Sequence, residues 1–302
     1  MLPKSLLALA LTGAMALAAT GVEARSITHA MGTTEVPDNP QRVVILTNEG
    51  TEALVDLGVI PVGAAESWDQ SPYYDHFEGK LEGVPTLGYE NAVNLELIAA
   101  LEPDLIIGNK VRQEAVYEQL SAIAPTVFSE DLSGDWQLNY MTYAQTLGIE
   151  DKARERLDAF AARTTALREA LGDKVNEKIS LVRFAPNRTR IYYKDTFAGV
   201  ILDQVGFARP AAQDKDDFAE EVTKERIPEM DGDRIFYFSY VDAEYDANVL
   251  DWTTDPTWLS LEAVKAGNAH RVSEVIWNTA GGILAANIML TELAAQYGVD
   301  LP

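Results

Sequence analysis

The alternation of short strands with helices is the feature of this sequence that most restricts its fold. Residues 42–47 (RVVILT) are almost all apolar and β-branched, which is typical of a strand buried on both faces, and a helical segment follows at residues 51–57. The alternation continues, with further strands predicted at residues 62–65, 105–108 and 126–128 and helices near residues 95–101 and 111–124. Because parallel strands need a crossover connection, this order predicts βα units around a parallel sheet.

The second half of the chain restarts this pattern, with strands predicted at residues 179–184, 190–193 and 234–238 and a helix at residues 197–205. Two local matches indicate a duplication. Glu96 and Glu225 each stand at a helix start, eight residues before an Asp that opens a strand. Residues 54–61 (LVDLGVIP) also resemble residues 202–210 (LDQVGFARP). We therefore expect an α/β fold of two similar Rossmann-like lobes with mainly parallel sheets.

A long helical segment separates the two halves. Its mainly apolar stripe has intervals of three and four residues: Ala153, Leu157, Phe160, Thr164, Leu167 and Leu171. Asp151 is a suitable N-cap and Gly172 a suitable terminating residue, and the segment spans about 30 Å. The predicted organisation is an N-terminal lobe at residues 25–150, a connecting helix at residues 151–172, and a C-terminal lobe at residues 173–302 that ends in a helix near residues 280–297. A ligand cleft is expected between the lobes.

The first 24 residues have the pattern of a secretory signal peptide. Lys4 precedes an apolar run at residues 6–19, and residues 22–24 (VEA) favour cleavage before Arg25. The run is too short for a membrane span, and the next most apolar stretch, residues 280–290, is shorter still. Because the sequence contains no cysteine, it has no residue to carry an acylated anchor. We therefore predict an exported protein that is free in the periplasm.

The net charge and the absence of several motifs argue against other functions. A net charge of −23 at pH 7 would repel the phosphates of a nucleic acid. No nucleophile elbow, phosphate-binding loop or dinucleotide-binding glycine pattern is present, so an α/β hydrolase is only a minor alternative. His29, His76 and His270 are scattered, without the paired spacing of a metal site. We expect no catalytic residue, no metal site and no resident cofactor.

Polar and aromatic side chains follow the predicted strands, where ligands bind in parallel α/β sheets. Arg112 follows a strand of the first half and Arg183 lies near the end of a strand of the second, so they are placed to hold one ligand from opposite lobes. The other candidates are Trp68, Tyr240, Trp277 and Asn278, with Arg190 and Lys215 as weaker ones. The structural alternatives are a surface position for Arg112, an ion pair for Arg183, and core or rim packing for the aromatic rings.

Six segments match a known family in their order and spacing. They are residues 32–46 (GTTEVPDNPQRVVIL), 87–108 (LGYENAVNLELIAALEPDLIIG), 117–128 (YEQLSAIAPTVF), 190–210 (RIYYKDTFAGVILDQVGFARP), 225–238 (ERIPEMDGDRIFYF) and 276–290 (IWNTAGGILAANIML). Together they resemble the iron–siderophore-binding proteins of ABC importers, whose lobes are joined by one long helix. The resemblance implies a monomeric, non-enzymatic solute-binding component that captures a ferric siderophore. It would deliver this ligand to a permease of two membrane subunits with its ATPase.

The resemblance also implies roles for individual residues. In the family, basic residues in the segments of Arg112 and Arg183 contact the siderophore. One exposed glutamate on each lobe docks against arginines of the permease, and Glu96 and Glu225 occupy those places. The structural alternative for both glutamates is stabilisation of a helix start, where a carboxylate faces the positive end of the helix.

The resemblance leaves the identity of the ligand open. The last segment is similar to family members that carry citrate-based hydroxamate siderophores. Glu49, just after the first strand, would discourage a strongly anionic ligand such as ferric citrate or a tris-catecholate, so we expect a citrate–hydroxamate siderophore first. Haem or cobalamin is the alternative, with His76 or Tyr240 as an axial ligand of haem.

Overall fold

The computed structural model describes residues 24–301. The described chain opens with an antiparallel hairpin of β1 (Ala24–His29) and β2 (Gly32–Pro37), which no sequence pattern had predicted. Arg25 fixes the hairpin to the first lobe by donating a hydrogen bond to the carbonyl oxygen of Thr146 at 3.0 Å. The predicted signal peptide at residues 1–24 lies outside the described residues except for Ala24.

A four-stranded parallel sheet forms the centre of the first lobe. Its strands are β3 (Val43–Ile45), β4 (Gly63–Ala64), β5 (Leu105–Asn109) and β6 (Thr126–Ser129), in the spatial order β4–β3–β5–β6. Every strand residue is buried, as is typical of a parallel sheet covered on both faces. The helices are α1 (Asn48–Asp56), α2 (Leu95–Ala100), α3 (Lys110–Gln113), α4 (Tyr117–Ser121) and α5 (Trp136–Leu147). The helix predicted at residues 111–124 is broken by a 3-10 turn at Glu114–Val116.

One long helix, α6 (Glu150–Leu171), follows the first lobe. The buried residues of α6 are Ala153, Phe160, Thr164, Leu167 and Leu171, all of them positions of the predicted stripe. The remaining stripe residue, Leu157, is partly buried against the same core. The helix starts one residue earlier than predicted, so Asp151 lies in its first turn and is not the N-cap, while Gly172 ends it as expected.

A five-stranded mixed sheet forms the centre of the second lobe. Its strands are β7 (Ile179–Arg183), β8 (Arg190–Tyr192), β9 (Ala219–Glu221), β10 (Arg234–Phe238) and β11 (Ala269–Arg271), in the order β11–β10–β7–β8–β9. The pairs among β7, β10 and β11 are parallel, whereas β8 pairs antiparallel with both of its neighbours. The helices are α7 (Phe197–Val205), α8 (Ala243–Thr253), α9 (Pro256–Leu259), α10 (Glu262–Lys265) and α11 (Ile283–Tyr297). The predicted α/β class with mainly parallel sheets is confirmed.

The two sheets use the same device to fix neighbouring parallel strands. Just before β5, the Asp104 carboxylate accepts a hydrogen bond from the backbone N–H of Gln41 at 2.7 Å, next to the start of β3. Just before β10, the Asp233 carboxylate accepts one from the backbone N–H of Lys178 at 2.7 Å, next to the start of β7. These are the aspartates that follow Glu96 and Glu225 by eight residues in the two matched segments.

The largest apolar cluster of residues 24–301 runs through both lobes and the long helix. It includes Val43 of β3, Phe160 of α6, Ile179 of β7 and Leu290 of α11. The last helix, α11, packs against α1 of the first lobe as well as against α6. Within the described part of the chain, no helix combines the length and the apolar character needed to cross a membrane.

Candidate functional site

A cavity of about 820 Å³ opens between the two lobes, where several strands end. Its lining comes from both sheets, with Glu49, Trp68, Glu90 and Arg112 on one side and Arg183, Arg190, Tyr192 and Tyr240 on the other. Five of the six residues predicted to contact a ligand line it, namely Trp68, Arg112, Arg183, Tyr240 and Asn278. Side chains that are far apart in sequence thus meet in one space.

The wall on the first lobe combines one arginine with stacked aromatic rings. Arg112 lies in α3, directly after β5, and its Nε donates a hydrogen bond to Glu90 Oε2 at 3.1 Å. Its guanidinium lies 5.8 Å from the centre of the Trp68 ring, which stacks on Tyr89 at 5.4 Å. The other oxygen of Glu90 accepts from the backbone N–H of Asn48 at 2.7 Å. Arg112 is therefore held in place before any ligand binds, with part of its surface exposed to the cavity.

The wall on the second lobe has a similar composition. Arg183 ends β7 and its Nη2 lies 2.8 Å from Glu274 Oε1, which also accepts from Nδ2 of Asn278 at 2.7 Å. The Arg183 guanidinium lies 5.5 Å from the centre of the Tyr240 ring. Burial disfavours the charge on Arg183, but the Glu274 carboxylate outweighs this effect, so the pKa of Arg183 lies above its ordinary value. Arg183 therefore forms the ion pair that was predicted as its structural alternative, and it also lines the cavity.

Arg190 is a cavity residue that the sequence ranked as a weak candidate. In the antiparallel pair of β7 and β8 it lies directly opposite Arg183, so both side chains are on one face of the sheet. Within residues 24–301 its side chain has neither an ion-pair partner nor a hydrogen-bond partner. Like charges placed opposite each other destabilise a sheet. On its other side Arg190 lies opposite Glu221 of β9, whose carboxylate pairs with Arg188 at 3.6 Å, so Arg190 has no carboxylate of its own.

The surroundings of Glu49 bear on the expectation that this residue discourages a strongly anionic ligand. It lies in the first turn of α1, is 6% exposed, and accepts one hydrogen bond from Nδ2 of Asn139 at 3.3 Å. Burial raises the pKa of Glu49 well above its ordinary value; the Asn139 hydrogen bond opposes the shift, and Glu90, Glu52 and Asp131 add to it. The uncharged form is thereby favoured. This direction opposes the expectation that Glu49 repels an anionic ligand.

Trp277 is the one predicted ligand residue that the structure places elsewhere. Its side chain is fully buried, packs on Phe236 at 4.7 Å and donates from Nε1 to Glu292 Oε2 at 2.6 Å. Trp277 and Asn278 are neighbours in a helical turn at Val275–Thr279, and such neighbours point to different sides of a helix. The turn therefore exposes Asn278 to the cavity and buries Trp277 in the core.

The structure places two weaker candidates, Lys215 and His76, outside the cavity. Lys215 lies 4.5 Å from the centre of the Tyr193 ring and does not line the cavity. His76, the proposed axial ligand of haem, is almost buried and its Nε2 lies 2.6 Å from Glu52 Oε1, away from the cavity. Among residues 24–301, no group of three or more His, Cys, Asp or Glu side chains is arranged to hold a metal ion.

The two glutamates of the matched segments are exposed and lie outside the cavity. Glu96 is in the first turn of α2, where the side chain of Asn94 already caps the helix by accepting from the backbone N–H of Leu97 at 3.0 Å. Glu225 is in the first turn of a 3-10 helix at Lys224–Met230, and hydrogen bonds from Thr223 and its own backbone N–H lower its pKa.

Comparison with known families matches residues 43–272 to the periplasmic binding protein family. The chain belongs to this family. It is 48% identical over 284 residues to the probable siderophore-binding lipoprotein YfiY of Bacillus subtilis, covering 90% of this chain and 87% of that protein. It is 30% identical to the achromobactin-binding periplasmic protein of Dickeya dadantii, covering 86% and 87%.

Among solved structures, the fold is similar to that of SirA from Staphylococcus aureus complexed with staphyloferrin B. The TM-score is 0.85 at 35% identity, and the alignment covers 91% of this chain and 99% of SirA. The relatives in the family are substrate-binding proteins and not enzymes. The predicted family, with two lobes around a ligand cleft, is confirmed.

The predicted free periplasmic location is contradicted by these relatives. The relative at 48% identity is named a lipoprotein, as is a second protein of Bacillus subtilis at 27% identity. The prediction rested on the signal-peptide pattern of residues 1–24 together with the absence of cysteine. It failed because neither feature identifies the membrane architecture of the cell or the way in which the exported chain is retained there.

Proposed function

We propose that this protein binds a ferric siderophore in the cavity between its lobes and delivers it to an ABC importer. The observation that carries the proposal is the pair of arginines, Arg112 and Arg183, that face one cavity from opposite lobes, each beside an aromatic ring. Guanidinium groups suit carboxylate, hydroxamate and catecholate oxygens, and aromatic rings suit the apolar parts of a bulky chelate. The named ligands of the relatives agree with this chemistry.

The charges of the cavity favour an anionic ligand. Arg112 and Arg183 each have one buried carboxylate partner, whereas Arg190 has none. An anionic oxygen beside Arg190 would relieve its repulsion with Arg183. The volume of about 820 Å³ is in the range of a pocket for a ligand of several hundred daltons. We therefore propose an anionic chelate. Among such chelates we rank carboxylate-bearing siderophores, of which the citrate–hydroxamate type is one, ahead of tris-catecholates, because SirA, at 35% identity, was solved in complex with staphyloferrin B.

Titration with a panel of ferric siderophores tests this proposal. The panel should contain ferric citrate, ferric staphyloferrin B, a citrate–hydroxamate chelate and a tris-catecholate, with iron-free siderophores and ferric ion as controls. Binding should quench tryptophan fluorescence, because Trp68 lines the cavity and the iron centre absorbs the emitted energy. Trp68→Phe should remove most of the quenching, and calorimetry then gives the affinity without that probe. Saturable binding of haem or of ferric ion alone, without a response to any siderophore, would contradict the proposal.

We further propose that Glu96 and Glu225 are the contacts with a permease of two like membrane subunits and that the protein docks as a monomer. Three observations support this: both side chains are exposed, both occupy the same place in the two matched segments, and both lie outside the cavity. Because Asn94 already caps α2, Glu96 is free to serve a partner. One carboxylate on each lobe suits a partner with twofold symmetry.

A further inference from the structure

Glu49 lines the floor of the cavity, and one of its two carboxyl oxygens is buried without a hydrogen-bond partner. Its Oε2 accepts the hydrogen bond from Asn139, whereas its buried Oε1 has no partner. Gly281 also lines the cavity, and a Cβ atom added there would lie 3.9 Å from Glu49 Cβ, in ordinary van der Waals contact. A buried polar atom without a partner costs free energy that a ligand can recover.

The surroundings of Glu49 determine which chemistry this atom can offer. The groups that face it are Glu52 from α1, Glu90 from the loop before α2, Asp131 from the loop after β6, and Asn139 and Tyr143 from α5. Three of these are carboxyl groups, and Arg112, on the same wall of the cavity, is bound to Glu90. Burial among acidic groups raises the pKa of Glu49. With Asn139 donating to Oε2, the proton belongs on Oε1, which makes that atom a hydrogen-bond donor.

We propose that Glu49, as an uncharged acid, donates a hydrogen bond from Oε1 to an anionic oxygen of the bound ferric chelate, so that tight binding requires this proton. The inference rests on the proposed function and adds a specificity-determining group to the same cavity. A donor at this position selects ligands with an oxygen acceptor over ligands with a cationic group. Arg112, Arg183 and Arg190 then supply positive charge, and Glu49 supplies an uncharged donor at the floor of the cavity.

The proposal predicts a definite dependence of affinity on pH. A bound acceptor stabilises the protonated acid, so the pKa of Glu49 in the complex lies above its pKa in the free protein. Affinity is then constant at pH values below the pKa of the free protein. It falls up to about tenfold per pH unit between that value and the higher pKa of the complex. Binding in this range takes up protons from solution.

The experiment compares wild type with Glu49→Gln and Glu49→Met, using ferric citrate and ferric staphyloferrin B as probes from about pH 5 to about pH 10. Glutamine keeps a donor and cannot ionise, so its affinity should stay level where that of the wild type falls. Methionine has a similar length and no donor, so its affinity should be about two- to tenfold lower than that of glutamine. Titrations of the chelate and of the cavity tyrosines affect all three proteins alike. Calorimetry in two buffers of different ionisation enthalpy should show proton uptake for wild type only.

The outcomes separate the two proposals. Binding by wild type with the same pH profile in Glu49→Gln would overturn the role of Glu49 and leave the siderophore assignment standing. Equal affinities of the glutamine and methionine variants at every pH would also overturn it. Failure of the wild type to bind any ferric probe would overturn both.

Discussion

At the residue scale, Arg183 and Arg190 face each other but differ in what their removal leaves behind. Arg183→Ala leaves Glu274, whose side chain is 2% exposed, without its cation, and breaking a buried pair in this way costs about 3–5 kcal/mol. Arg190→Ala removes an unpaired cation. We expect Arg190→Ala to weaken siderophore binding about ten- to a hundredfold without lowering thermal stability, because a charge-assisted hydrogen bond contributes about 1.5–3 kcal/mol. Arg183→Ala should lose both affinity and stability.

Thermal unfolding and titration of the same preparations check this contrast. Adding Glu274→Gln to Arg183→Ala should recover part of the stability and none of the affinity. Arg154→Ala, on the exposed side of α6 and outside the cavity, is a matched arginine control. Normal binding by Arg190→Ala would show that the unpaired charge serves no ligand.

The sequence predicted most of the cavity residues because strand ends are visible in it. Arg112 and Tyr240 were identified by following a predicted strand to its end, and the fold brings those ends together. Arg190 was ranked low because its importance depends on an antiparallel pairing with Arg183 and on the lack of a partner. Glu49 was expected to repel anions because its burial, which raises its pKa, is a tertiary property that the sequence does not show. The assignment of Trp277 to the ligand site was wrong because neighbouring residues of a helical turn point to different sides. Trp277 points into the core, and Asn278 points into the cavity.

At the element scale, strongly periodic segments were predicted well and irregular ones were not. The bounds of α7 and β10 agree with the sequence pattern, and α6 differs by one residue at its start. The hairpin of β1 and β2 was missed because its alternation of exposed and partly buried residues is weakly apolar. Helix α5 was missed because its buried face includes polar residues such as Asn139 and Thr146. Those residues are buried for hydrogen bonding, which hydrophobic periodicity does not detect.

The long helix is fixed to both lobes by one aromatic cluster. The ring of Phe160 in α6 meets Trp136 of α5 edge-on at 5.2 Å, and Trp136 meets Phe197 of α7 at 6.0 Å. Phe160→Ala should lower the free energy of unfolding by about 3–5 kcal/mol, because it opens a cavity at this junction. Arg154→Ala, on the exposed face of the same helix, should change it by less than about 0.5 kcal/mol. Chemical denaturation measures both, and a loss below about 1 kcal/mol for Phe160→Ala would contradict a joining role for this cluster.

At the scale of the whole molecule, the lobes share structure beyond the long helix. The buried carboxylate of Glu52 in the first lobe accepts a hydrogen bond from the backbone N–H of Ala285, in the first turn of α11. A Cβ atom on Gly282 would come within 2.6 Å of the same carboxylate, so the two segments approach closely. Together with the apolar cluster that runs through both lobes, this contact favours limited closure of the cleft. The boundaries at residues 150 and 172 remain a prediction of how the molecule divides.

Docking to a membrane partner also belongs to the whole molecule, because it needs both lobes at once. We expect Glu96→Ala and Glu225→Ala to leave siderophore affinity unchanged, since neither residue lines the cavity, and to lower stability only slightly. Uptake of radioactive ferric siderophore by cells should fall in each variant and fall most in the double variant. Arginine in place of either glutamate should reduce uptake further, because like charges would then meet at the interface. Glu155→Ala, an exposed glutamate of the long helix, is the matched control and should transport normally. If the double alanine variant, expressed at the wild-type level, also transports normally, the two glutamates only stabilise helix starts and the permease contacts another surface.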